Sequence, residues 1–301
     1  MALTSRRSIP VLLAAVALAS AGCESRTAQR TPTAPAPASG EEGRLSAMAV
    51  APPLGAAGSF AVLGASAVTN TGPTVVNGDL GVSPGTAITG FPPGIVNGTI
   101  HSADAAALAA QNSVVAIENA LLAQPCDVTL TGIDLGGLTL TPGTYCFATS
   151  AQLTGTLTLD GQGNAGAVWV FKIGSTLTTA SGSRVQYING GQACGTFWQV
   201  GSSATLGTAT SFSGNIVARA SITLNTGATN NGALFARTGA VTLDTNVVSR
   251  VGSCGSGPQP SPTPLPSPGP GPSPVPALPP GVALSLFVVL LGTGAYILNR
   301  R

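Results

Sequence analysis

The side chains in this sequence best spaced to engage a partner are hydroxyls. Thr-Leu pairs recur at Thr139-Leu140, Thr158-Leu159, Thr176-Leu177, Thr205-Leu206, Thr223-Leu224 and Thr242-Leu243. Their spacing is nearly constant, apart from one longer step between Thr176 and Thr205. In the last four, a further threonine stands three places after the first, at Thr179, Thr208, Thr226 and Thr245. Regularly spaced, uncharged hydroxyls suit contact with an extended surface better than bond-breaking. The groups that break bonds are scattered. Polysaccharide-cleaving chemistry needs clustered carboxylates, or a calcium-binding acid group beside a basic residue. Here Asp160 and Asp244 align to equivalent places in different repeats, with Gly207 and Asn225 at that place between them. An isolated aspartate at a turn ordinarily accepts backbone hydrogen bonds. His101, the single histidine, stands just before a helix, where a surface or capping role is expected. Arg219 and Arg237, one period apart, read as a solvated edge. No cysteines are closely paired, so zinc is not expected. The chain is read as a non-enzyme with no cofactor and no metal.

The elements that must hold these hydroxyls follow from the period. A near-constant repeat means one supersecondary unit stacked on itself, each unit burying its Leu against the next. The segments at 168–171, 197–200, 215–218 and 233–236 are hydrophobic strands, and each precedes a Thr-Leu pair. A period of this length suits one coil of a β-solenoid of roughly triangular section, with coils about 4.7–4.9 Å apart. Successive strand residues face opposite ways, so a Leu in the core turns the preceding Thr to water. The longer step requires an excursion around Cys194. Before the repeats, residues 60–63 and 75–76 are strand-like, and Asn77-Gly78, Asn97-Gly98 and Ser83-Pro84-Gly85 signal turns. Residues 102–124 are Ala-rich and lack internal Gly or Pro. Leu108, Val115 and Leu122, with Val114, Ile117 and Leu121, predict one wide apolar stripe on a helix. Ser102 caps its start, Pro125 ends it, and its polar side carries Gln111, Asn112 and Glu118.

Composition bounds the rest. Charged residues are 7% and aromatics 4%, with 40 Gly and 24 Pro among 301 residues, which suits an exported β-rich repeat protein. A hydrophobic content of 44% and a net charge of +2 do not describe a disordered chain. One lysine, Lys172, and dispersed arginines offer nothing to nucleic acid. Residues 1–23 form a signal peptide: Arg6-Arg7, an apolar run, then Ser20-Ala21-Gly22-Cys23. The small residues before Cys23 resemble a bacterial lipoprotein cleavage site, which would lipidate Cys23; plain secretion is the alternative. Residues 24–53 are a flexible linker, and 255–280 a proline-rich, extended spacer. Residues 281–301 hold an uncharged stretch just long enough to cross a membrane, closed by Arg300-Arg301. That layout resembles bacterial surface-sorting tails of the PEP-CTERM type, without the Pro-Glu-Pro signature. The tail is a permanent anchor or a removable signal. Either way the folded part, residues 54–254, is expected outside the cytoplasm, in the cell envelope, at the cell surface or extracellular. Setting Cys23 aside leaves four cysteines, which allow three disulfide pairings. We favour Cys126–Cys146, tying the helix exit to the first repeat, and Cys194–Cys254, returning the domain's end to the excursion.

Three segments carry a family resemblance: 68–82, with Thr69-Asn70-Thr71-Gly72 and Asn77-Gly78-Asp79-Leu80-Gly81-Val82; 135–147, with Thr141-Pro142-Gly143-Thr144-Tyr145; and 197–210. They resemble the bacterial and fungal ice-binding-like proteins over nearly all of residues 54–254. The resemblance implies a mainly β fold: a right-handed parallel β-solenoid with one long helix alongside, in which strands before the helix join the same stack as those after it. It also implies adsorption to an ice crystal surface through one flat, Thr-rich face.

Active members of that family often carry Thr, then Ala or Gly, any residue, then Thr or Asn. Thr226-Gly227-Ala228-Thr229 matches this in full. Thr208-Ala209-Thr210-Ser211 and Thr179-Ala180-Ser181-Gly182 match in their first half, and Thr245-Asn246 departs at the second position. The ice-contacting set implied by the resemblance is therefore Thr179, Ser181, Thr208, Thr210, Thr226, Thr229 and Thr245. The expected partners are ice and, through the lipid or the C-terminal helix, a membrane; the chain is expected to be a monomer. The alternative is a cell-surface adhesion or structural module without ice activity, which protruding aromatics or a groove would favour.

Overall fold

A computed structural model describes residues 48–252 and Cys254. The expected signal peptide with Cys23, most of the linker, the proline-rich spacer and the C-terminal tail lie outside the described residues.

The described chain winds through three strands per coil, and like strands stack into three parallel sheets. Sheet A has nine strands in the order Ile100–Ser102, Asp79–Val82, Phe60–Gly64, Leu234–Ala236, Asn215–Ala218, Thr196–Val200, Trp169–Ile173, Gly143–Phe147 and Val128–Thr129. Sheet B has seven, running from Ala151–Leu153 through Leu177–Thr179, Ala204–Leu206, Ile222–Leu224, Val241–Asp244 and Ala67–Thr71 to Ala87–Thr89. Sheet C has eight, from Ile95–Asn97 at one end to Thr139–Leu140 at the other. The stack is discontinuous in sequence. The first coil, beginning at Phe60–Gly64, pairs with the last, through Val62 against Leu234. The pre-helix strands thus extend a stack that the post-helix strands build, as the family resemblance implies.

The core is made by strand alternation. Buried Leu153, Leu177, Leu206, Leu224 and Leu243 point in from sheet B, Leu157, Leu159 and Val185 from sheet C, and Tyr145, Phe171 and Trp198 from sheet A. Like residues stack along the axis: the Phe171 and Trp198 rings lie 3.9 Å apart and nearly parallel. The four hydrophobic segments read from the sequence fall on four of the nine sheet A strands.

The coil length is less even than the Thr-Leu spacing. On sheet A, Tyr145 pairs with Phe171, Phe171 with Trp198, and Trp198 with Ile216. The first two of these steps are markedly longer in sequence than the third. Two coils carry insertions at the turn from sheet C to sheet A, over residues 161–168 and 189–195. The steady interval arises because the pairs change sheet. Thr139-Leu140 and Thr158-Leu159 pair with each other on sheet C, while the last three pairs lie on sheet B. Asp160 accordingly ends a sheet C strand and Asp244 a sheet B strand, so the two are not equivalent as expected.

The helix spans Ala105–Ala123 and lies on sheet A. Asp104, rather than Ser102, caps it: its Oδ1 accepts from the Ala107 amide at 2.8 Å, while Ser102 ends a sheet A strand. His101 Nδ1 lies 2.7 Å from the other Asp104 oxygen, so the histidine supports the cap. The buried face is Ala107, Ala110, Gln111, Val114, Ile117, Glu118 and Leu121. Leu108 and Leu122, expected in the stripe, are exposed, and Gln111 and Glu118, expected on the polar side, face the sheet. Both polar groups find partners there, which is what permits their burial. Gln111 Nε2 donates to the Gly64 and Ala236 carbonyls at 3.0 and 3.2 Å. Glu118 Oε2 accepts from Arg237 Nη1 at 2.6 Å. At the far end Lys172 Nζ donates to the Leu122 and Gln124 carbonyls. Arg219 and Arg237 do sit on neighbouring coils, with the Arg237 amide donating to the Ala218 carbonyl. The disulfides are Cys126–Cys146 and Cys194–Cys254.

Candidate functional site

The helix covers sheet A and leaves sheets B and C outward. Inward sheet B positions hold Leu, Ile, Val and Ala, with Thr179 and Asn70 as polar exceptions, which sets the outward ones by alternation. The backbone register aligns Gln152 with Thr178, Thr178 with Thr205, Thr205 with Thr223, Thr223 with Thr242, Thr242 with Thr69, and Thr69 with Thr89. Six threonines therefore form one straight column on consecutive coils, all exposed or half-buried. Two residues earlier on each strand stand Ser150, Thr176, Ser203, Ser221, Ala240, Ala67 and Ala87, a second column of small side chains. Side chains bridge coils within both columns. Thr176 Oγ1 donates to Ser150 Oγ at 2.8 Å, and Thr69 Oγ1 to Thr242 Oγ1 at 3.4 Å. Threonine is stiff about χ1 and favoured on strands, so these hydroxyls and methyls are held by the sheet rather than by partners in front of it.

A third column runs along the turns from sheet B to sheet C. In five consecutive coils this turn has one residue in the left-handed region: Gly182, Ala209, Gly227, Thr245 and Gly72, at φ of 70, 56, 72, 54 and 80°. Amides of these residues ladder onto the carbonyl just before the left-handed residue of the next coil: Gly182 to Thr208, Ala209 to Thr226, Gly227 to Asp244 and Thr245 to Thr71. The second place of the family motif thus suits Gly, or Ala at some strain, because of its backbone conformation. The residues preceding the left-handed ones are Ser181, Thr208, Thr226, Asp244 and Thr71, with Thr154 before left-handed Gly155 at the end of the series. All are exposed except Asp244, which is half-buried.

The seven residues proposed from sequence separate on this geometry. Ser181, Thr208 and Thr226 stand together in the turn column. Thr179 does not join them: it points inward, 4% exposed, with its hydroxyl 2.9 Å from that of Thr210, itself 1% exposed. Thr179 Oγ1 also accepts from the Gly207 amide, so this pair braces two coils from within. Thr229 opens a strand of sheet C and faces away from the sheet B array. Thr245 occupies the left-handed place, in line with Gly227 rather than Thr226, because its turn is one residue shorter. Sequence reasoning missed the central column as a site, although part of its signal was present: Thr205, Thr223 and Thr242 each precede an inward Leu.

Asp244 is the one charged residue among the outward positions of sheet B and its turn column. Thr226 Oγ1 donates to Asp244 Oδ2, and Thr245 Oγ1 to Asp244 Oδ1 at 3.1 Å. At the end of the column Asp134 plays the same part toward Thr154, whose hydroxyl and amide donate to it at 2.8 and 2.9 Å. Burial opposes ionisation of Asp134, but the donors Gly136 and Thr154 prevail and hold its carboxyl below the usual value. Sheet C is different in character. Its outward positions include Arg184 and Gln186, and the Arg184 column runs through Ser211 and Thr229 to apolar Val247, Val75 and Ile95. Among the described residues no group of three or more His, Cys, Asp or Glu side chains could hold a metal ion.

Residues 62–249 match the model of the Ice-binding-like family. The chain belongs to this family. An ice-binding protein of Nostoc sp. (strain HG1) is 52% identical over 207 residues, covering 68% of this chain and 76% of that protein. The crystal structure of an ice-binding protein from the Antarctic ascomycete Antarctomyces psychrotrophicus superposes with a TM-score of 0.64 at 45% identity, covering 65% of this chain and 97% of that one. An ice-binding protein from an Antarctic biological consortium gives 0.66 at 46% identity, covering 67% and 92%. These relatives share the β-solenoid architecture, and the family is not one of enzymes.

Proposed function

We propose that this protein adsorbs to ice through the outer face of sheet B, restraining ice growth and recrystallisation. The observation that carries the reading is the Thr178–Thr205–Thr223–Thr242–Thr69–Thr89 column. Its hydroxyls recur about 4.7–4.9 Å apart across strands, and the neighbouring column lies two residues, or about 6.6 Å, along them. Hydroxyls and methyls at fixed two-dimensional spacing can hold a layer of water in lattice-like order. A field of charges would impose its own hydration, and these columns carry none. Ser181, Thr208 and Thr226 extend the contact over the turn.

The setting of the domain supports presentation of this face away from the cell. The described chain begins against the helix, where Val50 exchanges hydrogen bonds with the Gln124 side chain. It ends at Cys254, bonded to Cys194 at the corner between sheets C and A. Both described ends therefore lie away from the outer face of sheet B. In our reading the protein is exported and held at the envelope through lipidated Cys23, the C-terminal segment 281–301, or both. It acts as a monomer and has no nucleic-acid partner.

The test is thermal hysteresis and recrystallisation inhibition by the purified chain and its Thr226→Tyr variant. Modest inhibition by wild type, reduced by the substitution, is the expected result. Wild type without any effect on ice would sink the ice reading and leave a cell-surface adhesion or structural module.

A further inference from the structure

We infer that Asp244 is a positioning residue of the ice-contacting face: it carries the turn column through the one coil whose place in that column lacks a hydroxyl. The inference rests on the ice reading above. Along the column Thr154, Ser181, Thr208, Thr226, Asp244 and Thr71, only Asp244 is not a hydroxyl. A lone carboxylate there would ordinarily break the array, since an ion gathers water in its own geometry. Here its two oxygens are engaged by hydroxyls from two sides, Oδ2 by Thr226 and Oδ1 by Thr245. The Asp244 amide donates to Asn246 Oδ1 at 2.6 Å, and buried Asn246 is fixed by bonds from its Nδ2 to the Asn225 and Ala228 carbonyls. The carboxylate therefore stands on a rigid base.

The second observation is backbone strain at the neighbour. Thr245 is a β-branched residue at φ 54°, where the equivalent places of other coils hold Gly or Ala. Such a conformation persists only where its surroundings over-determine it. It turns the Thr245 hydroxyl over Gly72, where any Cβ would collide with Thr245 Oγ1. Gly72 leaves the room, and Asp244 supplies the acceptor. The coil without a hydroxyl at this place thus presents one a residue later, on Thr245. Because Asp244 takes both hydroxyl hydrogens, Thr226 and Thr245 meet water as acceptors in a fixed orientation. Asp134 holds Thr154 in the same manner at the end of the column.

The test compares the full chain with Asp244→Ala, Thr226→Ala/Thr245→Ala and the triple variant. Thermal hysteresis is measured alongside side-chain χ1 couplings and hydroxyl exchange of Thr226 and Thr245 by NMR without ice. Asp244→Ala is expected to release both hydroxyls in the NMR measurement and to lower hysteresis roughly two-fold or more. The triple variant should fall no further than the double, since residues acting as one unit are non-additive. Wild-type hysteresis in Asp244→Ala, an increase, or additive losses would overturn the inference while leaving the sheet B reading intact. Wild type without hysteresis would strike the ice reading itself, and unchanged threonine NMR in Asp244→Ala would refute the positioning independently.

Discussion

Removing Arg237 strands a charge beneath the helix. Glu118 is 1% exposed and its Oε2 accepts from Arg237 Nη1 at 2.6 Å, the ion pair between helix and solenoid among the described residues. Breaking a buried pair from one side costs about 3–5 kcal/mol, because the remaining charge has no compensation. The Arg237 side chain is 30% exposed, so water replaces part of its contribution and the lower bound, about 3 kcal/mol, applies. For a domain of this size a loss of about 1 kcal/mol moves the melting temperature by about 2–4 °C. Arg237→Met should therefore lower Tm by about 6–12 °C. Glu118→Leu combined with Arg237→Met removes both charges and should recover to within about 1 kcal/mol of wild type. Differential scanning calorimetry and urea unfolding of the four species complete a double-mutant cycle. Ice activity well below Tm should be unaffected, since the pair lies against sheet A. A loss below about 1 kcal/mol for Arg237→Met, or a double variant as unstable as the sum of the singles, would refute the reasoning.

Three further outcomes follow from the same geometry. Trp198→Ala opens a void beside Phe171 and Phe212 in the buried stack and should cost about 3–5 kcal/mol by urea unfolding. Replacing Cys194 and Cys254 by serine frees a loop of 60 residues and should cost about 4 kcal/mol in the chain-entropy description, measured by calorimetry. The Ala107 amide, and then His101, hold the Asp104 carboxyl below its ordinary value of 3.8. Its contribution is complete above that value and is lost as pH falls through the lower folded value. Asp104→Ala should accordingly destabilise the protein at neutral pH, and the gap from wild type should narrow as a pH titration of Tm descends below 3.8.

The parts of this fold that were legible in the sequence are those set by alternation and by covalent bonding. The sheet A strands announced themselves as hydrophobic runs, Leu206, Leu224 and Leu243 took the core, and both favoured disulfides formed. The helix was legible as an element but not in its rotation. Gln111 and Glu118 look solvent-facing until the Gly64 and Ala236 carbonyls and Arg237 arrive from coils far away in the chain. The site was half legible. The spacing of Thr205, Thr223 and Thr242 was plain, yet Thr139 and Thr158 share that spacing on another sheet. A repeat reports recurrence and not which face recurs. Thr179 misled for a related reason: it follows Leu177 as Thr208 follows Leu206, but the turn after Leu177 begins two residues later, leaving Thr179 on an inward strand position. Only the register distinguishes them.

The most direct measurement is the binding of fluorescently labelled protein to a single growing ice crystal, with one bulky substitution on each open sheet. Thr223→Tyr raises a ring from the middle of the sheet B column, and Gln186→Tyr does so on sheet C. With both variants folded, the account predicts that the crystal takes up wild type and Gln186→Tyr but not Thr223→Tyr. Undiminished binding of Thr223→Tyr would contradict it.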